Sequence, residues 1–123
     1  MKALRAVIVD DEFSSRRLLA RLLSVQAEIS VVGEAQSVEE AVLLCEQLRP
    51  AVVFLDVNMP KQSGLELIAL LKEKPDIVFV TAHTDYMSEG FEVGASDYLL
   101  KPVSAERLEL TVKRLVALSL RNR

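Results

Sequence analysis

Apolar residues follow two alternating patterns along the chain. Short runs, AVIV (6–9), VVFL (52–55) and IVFV (77–80), are rich in Val and Ile and show no polar alternation. Such runs fit central parallel strands covered on both faces. ISVVGEA (29–35) is more polar, as an edge strand would be, and DYLL (97–100) is a fifth run. Between the runs, apolar residues recur at helical spacing. Residues 13–25 carry Leu18, Leu19, Leu22 and Leu23 with Arg16, Arg17 and Arg21 interleaved, and the arginines read as a solvated face or as a contact for a partner protein. Ser37 to Glu40 is a capping box ahead of Ala41, Leu44, Cys45 and Leu48, and Pro50 stops that helix. Ser63 to Glu66 repeats the box ahead of Leu67, Ile68 and Leu71, with Pro75 as the stop. A weaker helix is expected over 84–93, interrupted by Gly90. Ser104 caps a last helix bearing Leu108, Val112, Leu115 and Val116.

Strict alternation of five strands and helices, with right-handed crossovers, predicts a doubly wound parallel sheet. Five strands favour the flavodoxin-like (βα)5 order 2-1-3-4-5, here as a single domain over 1–123. Composition agrees, with 50% hydrophobic and 27% charged residues. A net charge of −3 argues against a dedicated nucleic-acid surface. No apolar run approaches the length of a membrane span. The N-terminal apolar run meets Asp10 and Asp11 at once, unlike a signal peptide. Cys45 is the one cysteine, which excludes an intrachain disulfide and a cysteine-based metal cage. A reducing cytoplasm is the expected location.

Chemistry enters at the strand ends. The run VVFL ends on Asp56, and an acid there is a helix cap, a buried ion-pair member or a reactive group. In a sheet of this order, ligands sit beyond the carboxyl ends of the strands, at the switch point between strands 1 and 3. Strand 1 ends in Asp10, Asp11 and Glu12, strand 4 in Thr81, and strand 5 in Lys101 followed by Pro102. Strand 2 offers Glu34 and Gln36, outside the switch point. Acids crowded in this way repel one another, and a hard divalent cation, Mg²⁺ or Mn²⁺, relieves the repulsion. A Lys and a Thr reaching the same phosphate would complete a cradle for phosphoryl transfer, with Asp56 as candidate nucleophile.

The set Asp10-Asp11, Asp56, Thr81 and Lys101-Pro102, in this order on this frame, resembles the response-regulator receiver domain of two-component signalling over essentially the whole chain. The resemblance implies that Asp56 is the phosphoacceptor and that Asp10, Asp11, Asp56 and the backbone carbonyl of Asn58 hold Mg²⁺. It implies that Thr81 and Lys101 contact phosphoryl oxygens and that the Lys101-Pro102 bond is cis. It also implies that Thr81 and Tyr98 form a switch acting on the face of the fourth helix, fifth strand and fifth helix. Packing alone is a competing account of Tyr98. His83 reads as a loop residue; with Asn58 it is also placed to tune water access to an acyl phosphate.

The implied partner is a histidine kinase or phosphotransfer protein, with a homodimer through the switching face as a further arrangement. The expected activity is self-phosphorylation with slow autodephosphorylation, not enzymatic turnover. A hydrolase of similar layout would want an acid two positions after its nucleophile, where this chain has Asn58. The segment FEVGASDYLLKPVS resembles receivers attached to LytTR-type DNA-binding domains. That implies control of transcription through an output domain outside these residues, with no direct nucleic-acid or membrane contact by this one.

Overall fold

The computed structural model describes residues 2–57, 59, 63–82 and 94–121. The Val- and Ile-rich runs form a parallel sheet in the order β2-β1-β3-β4-β5. Its strands are β1 (Leu4–Val9), β2 (Ile29–Ala35), β3 (Val52–Leu55), β4 (Asp76–Thr81) and β5 (Asp97–Leu100). Every residue of β3 is buried, as its unbroken apolar run requires. β2 lies at one edge, with Ser30 exposed and residues 31–34 half-buried.

Four described helices, α1 (Phe13–Ser24), α2 (Val38–Leu48), α3 (Gly64–Leu70) and α4 (Ala105–Arg121), cover the sheet. Alternate residues of each strand feed two cores. Val7, Val9, Val53, Leu55 and Phe79 pack toward α2 and α3, with Cys45 and Leu67. Ala6, Ile8, Phe54, Val78 and Leu99 pack toward α1 and α4, with Leu19, Leu23, Leu108 and Leu115. The helix expected at 84–93 lies outside the described residues.

The helix ends follow local chemistry. Ser37 Oγ accepts from the Glu40 amide at 3.1 Å, and Ser104 Oγ accepts from the Arg107 amide at 3.2 Å. Ser63 also caps, but its Oγ takes the Leu65 amide at 3.2 Å, while the Glu66 amide bonds the Ser63 carbonyl. α3 stops at Leu70, before the expected Pro75 boundary. Leu71 turns to extended backbone, inserts into the core, and Lys74 Nζ satisfies the Ile68 and Leu71 carbonyls at 2.6 Å each.

Two sequence readings on α1 are corrected. Leu18 is not part of the buried stripe and is 44% exposed. Arg16 is not a solvated side chain, because its head is drawn inward by the Asp10 carbonyl and by Glu34.

Candidate functional site: an acid cluster at the sheet edge

The main chain carries the acids to one edge. The Asp10 amide donates to Ala35 O at 3.0 Å and the Asp56 amide to Val9 O at 2.9 Å, so each extends a strand pairing by one step. The Lys101 amide does the same from β5 to Thr81 O at 2.9 Å. Asp10, Asp56 and Thr81 are all buried.

The turn after Asp56 is shaped by a close approach. The Gly64 amide donates to Val57 O at 2.8 Å, which brings the start of α3 against the turn. A Cβ on Gly64 would lie 2.4 Å from the Asp56 carbonyl oxygen, inside van der Waals contact, so only glycine fits.

One ligand oxygen from each of Asp10, Asp11 and Asp56 lies within 4.8 Å of the others. Lys101 answers this charge. Its Nζ is 2.8 Å from Asp10 Oδ2, 3.3 Å from Asp56 Oδ2 and 3.6 Å from Glu12 Oε1. Burial pulls the ammonium toward losing its proton, but the bond to Asp10 and the charges of Asp56 and Asp10 outweigh that and hold its pKa above the ordinary lysine value. Asp10 is fixed further, since its Oδ1 accepts from the Glu12 amide at 2.9 Å. The all-oxygen donor set fits a hard divalent cation such as Mg²⁺.

Thr81 ends β4 and pairs in register with Leu100. Tyr98 is buried, and its ring meets Phe79 edge to face, with centroids 6.0 Å apart. The Lys101-Pro102 peptide is cis, as expected. A groove lined by Ser15, Leu18, Val80, Pro102 and Val103 opens beside Asp10 and Lys101. The structure thus brings Asp10, Asp11, Asp56 and Lys101 together. Asn58 and His83, proposed from sequence as metal ligand and modulators, lie outside the described residues.

Two features escaped the sequence reading. Arg16 Nη1 donates to the Asp10 carbonyl at 2.7 Å, and its Nε pairs with Glu34 at 3.3 Å. The only sequence signal was Glu34 at the end of the strand beside β1. The second feature is a buried anchor at Asp97. Its carboxylate accepts from Arg107 Nη2 at 2.9 Å and from Thr111 Oγ1 at 2.7 Å. Burial raises the Asp97 pKa, but bonds from Arg107, Thr111 and the Tyr98 amide prevail and hold it below the usual carboxylate value. Arg107 and Thr111, four apart on one helical face, were the available signal.

A doubly wound sheet of this order, with an acid triad and a lysine at its switch point, defines the receiver class of signalling domains. The family model for the response regulator receiver domain matches residues 6–113, and the chain belongs to that family. The chain is 47% identical over 115 residues to an uncharacterised response regulatory protein of Vibrio cholerae, covering 92% of this chain and 48% of that protein. It is 46% identical over 114 residues to the transcriptional regulatory protein BtsR of Salmonella typhi, covering 91% and 48%. It spans about half the length of these curated relatives. The crystal structure of the response regulatory domain of mrkE from Klebsiella pneumoniae superposes with a TM-score of 0.84 at 30% identity, covering 93% of this chain and 96% of that one. This is therefore a receiver domain of two-component signalling, and no described helix is long and apolar enough to cross a membrane.

Proposed function

We propose that the domain is a phosphoacceptor switch in which Asp56 takes a phosphoryl group from a phosphohistidine of a kinase or phosphotransfer protein. The supporting observation is the Lys101 ammonium bridging Asp10 and Asp56, with Asp11 in the same cluster. A carboxylate oxygen of Asp56 attacks phosphorus, a new O–P bond forms, and the N–P bond of the donor breaks. The bond's electron pair leaves on the imidazole, which takes a proton from solvent. Asp10, Asp11 and Asp56 would hold Mg²⁺, with the Asn58 carbonyl as the further ligand that the resemblance implies, and the ion would supply charge neutralisation at the transferring group.

Lys101 and Thr81 stabilise phosphoryl oxygens, and the product is an acyl phosphate that hydrolyses slowly. The domain does not turn over a separate substrate. Thr81 and Tyr98 relay the change to the face beside β5, through a shift between two populations. That face, or a homodimer formed through it, controls an output. The BtsR relatives are named transcriptional regulators, and together with the LytTR-like segment 91–104 they support transcription as that output, in the cytoplasm.

Incubation with acetyl phosphate and Mg²⁺ should add one phosphoryl group to the intact mass and none to Asp56→Asn. Absence of the adduct, or its persistence in Asp56→Asn, would overturn the proposal.

A further inference from the structure

Asp10 is held at more points than strand pairing requires. Its amide goes to β2, its Oδ1 to the Glu12 amide and its Oδ2 to Lys101. Its carbonyl oxygen, at the peptide that joins it to Asp11, accepts from Arg16 Nη1 at 2.7 Å. Holding that carbonyl restrains ψ of Asp10 and φ of Asp11, the two rotations that aim the acid side chains on either side of the peptide.

The Arg16 guanidinium is itself aligned. Its side chain is 12% exposed, its Nε faces Glu34 Oε1 at 3.3 Å, and its Cζ lies 5.6 Å from the centre of the Phe13 ring. Glu34 is in turn held by Arg17. A bare guanidinium this close to an acid cluster would oppose cation binding. Glu34, shared between Arg16 and Arg17, offsets part of that charge and so reduces the electrostatic penalty of the rigidity Arg16 adds.

We propose that Arg16, aligned by Glu34, is a positioning residue that preorganises the Asp10-Asp11 pair for a divalent cation. It acts as the partner one step behind a metal ligand acts elsewhere, by fixing orientation. The inference rests on the phosphoacceptor reading of the site. A lysine cannot replace it, because one ammonium does not present the planar fork that reaches a carbonyl and a carboxylate together.

The test measures Mg²⁺ affinity by titration calorimetry, beside thermal stability and the rate of phosphorylation by acetyl phosphate. Arg16→Lys and Glu34→Gln should each weaken Mg²⁺ binding by roughly tenfold. Arg21→Ala, which removes an exposed positive charge from the same helix, should leave affinity within about twofold. At saturating Mg²⁺ the phosphorylation rate of both variants should return close to wild type. Affinity in Arg16→Lys and Glu34→Gln within about twofold of wild type overturns the inference, whatever happens to stability. So does a rate deficit that saturating Mg²⁺ does not repair. If Arg16→Lys does not fold, Glu34→Gln decides when read at low salt and at about 1 M salt: a loss of affinity that persists at high salt supports positioning, and one that salt abolishes is the unoffset guanidinium charge acting alone and overturns the inference. A wild-type domain that binds no Mg²⁺ overturns the phosphoacceptor reading along with this one, whereas normal wild-type binding with indifferent variants overturns this one alone.

Discussion

Lys101→Met is the most informative single change at the site. It keeps an unbranched stem of similar length and deletes the ammonium that bridges Asp10 and Asp56. The repulsion between the two carboxylates is present in both proteins; the variant loses the ammonium that offsets it from 2.8 and 3.3 Å, and removing one partner of a largely buried ion pair costs about 3–5 kcal/mol. Against this, the variant no longer desolvates an ammonium, but with the Lys101 side chain 18% exposed that relief is partial. The balance is a loss of about 2–3 kcal/mol in the metal-free protein, or roughly 6–12 °C in Tm for a domain of this size. Mg²⁺ then meets an acid cluster with no competing cation. Stabilisation by a ligand grows as the logarithm of its concentration over Kd, so Mg²⁺ should raise the Tm of the variant by more than that of wild type. Thermal unfolding by far-ultraviolet circular dichroism, once in chelator and once in Mg²⁺, reads both effects. A variant as stable as wild type in chelator, or one that gains no more from Mg²⁺, would refute the view that Lys101 stands in for the cation.

Further changes test other links. Asp97→Asn weakens the bonds to Arg107 and Thr111; because Arg107 is 43% exposed and can turn to water, the loss at neutral pH should be about 1–3 kcal/mol by denaturant titration. The folded-state pKa of Asp97 is depressed, so its stabilisation is full above the unfolded value of about 3.9 and disappears as pH falls through the folded value. The gap between wild type and Asp97→Asn should therefore close on acidification, and a gap that widens would count against the anchor. Gly64→Ala forces a Cβ to 2.4 Å from the Asp56 carbonyl oxygen and should destabilise by about 1–3 kcal/mol or more, with slower phosphorylation. Unchanged unfolding and labelling there would show that the turn yields freely. Burial pushes the Cys45 thiol up to about 11, so at pH 8 roughly one part in a thousand is thiolate, and maleimide labelling should be far slower in the folded than in the urea-unfolded protein.

Much of the fold was legible because strands buried on both faces cannot alternate. VVFL forms a fully buried strand at the positions where the run was read, DYLL forms the strand at the opposite edge from β2, and the edge character of β2 followed from its polar residues. The site was legible for a related reason, since topology alone sends the ends of β1, β3, β4 and β5 to one edge. Side-chain reach was not legible. Arg16 and Arg17 are neighbours in sequence, yet one turns inward to the Asp10 carbonyl while the other is half-exposed. Leu18 and Leu19 divide in the same way. Helical period ranks such positions only to within a residue, and the choice depends on groups supplied by β2 and by the turn before α1. The Asp97 anchor was hidden because its partners lie ten and fourteen residues away, on a helix that the strand pattern does not orient.

The two ends of β5 are fixed by different chemistry, and this bears on how the proposed switch transmits. At the far end, the Asp97 carboxylate is held by Arg107 and Thr111, and Arg107 Nη2 also donates to Tyr98 O at 3.2 Å. At the near end, Lys101 is tied to Thr81 by its amide and to the acids by its Nζ. Tyr98, between the two, meets Phe79 of β4 through its ring. A strand of four residues offers little slack between such ties. On the proposed chemistry, a phosphoryl group on Asp56 draws Lys101 Nζ away from Asp10 and gives Thr81 a new acceptor. Both residues pull on the same pair of strand ends. If the bond from Arg107 to the Tyr98 carbonyl keeps the strand backbone in place, the proposed change would be expressed in side chains, such as the Tyr98 ring that meets Phe79. If the strand instead moved as a body, the Asp97 anchor would have to break. Arg107→Ala would then ease switching, whereas with the backbone held it lowers stability and leaves the phosphorylation rate near wild type.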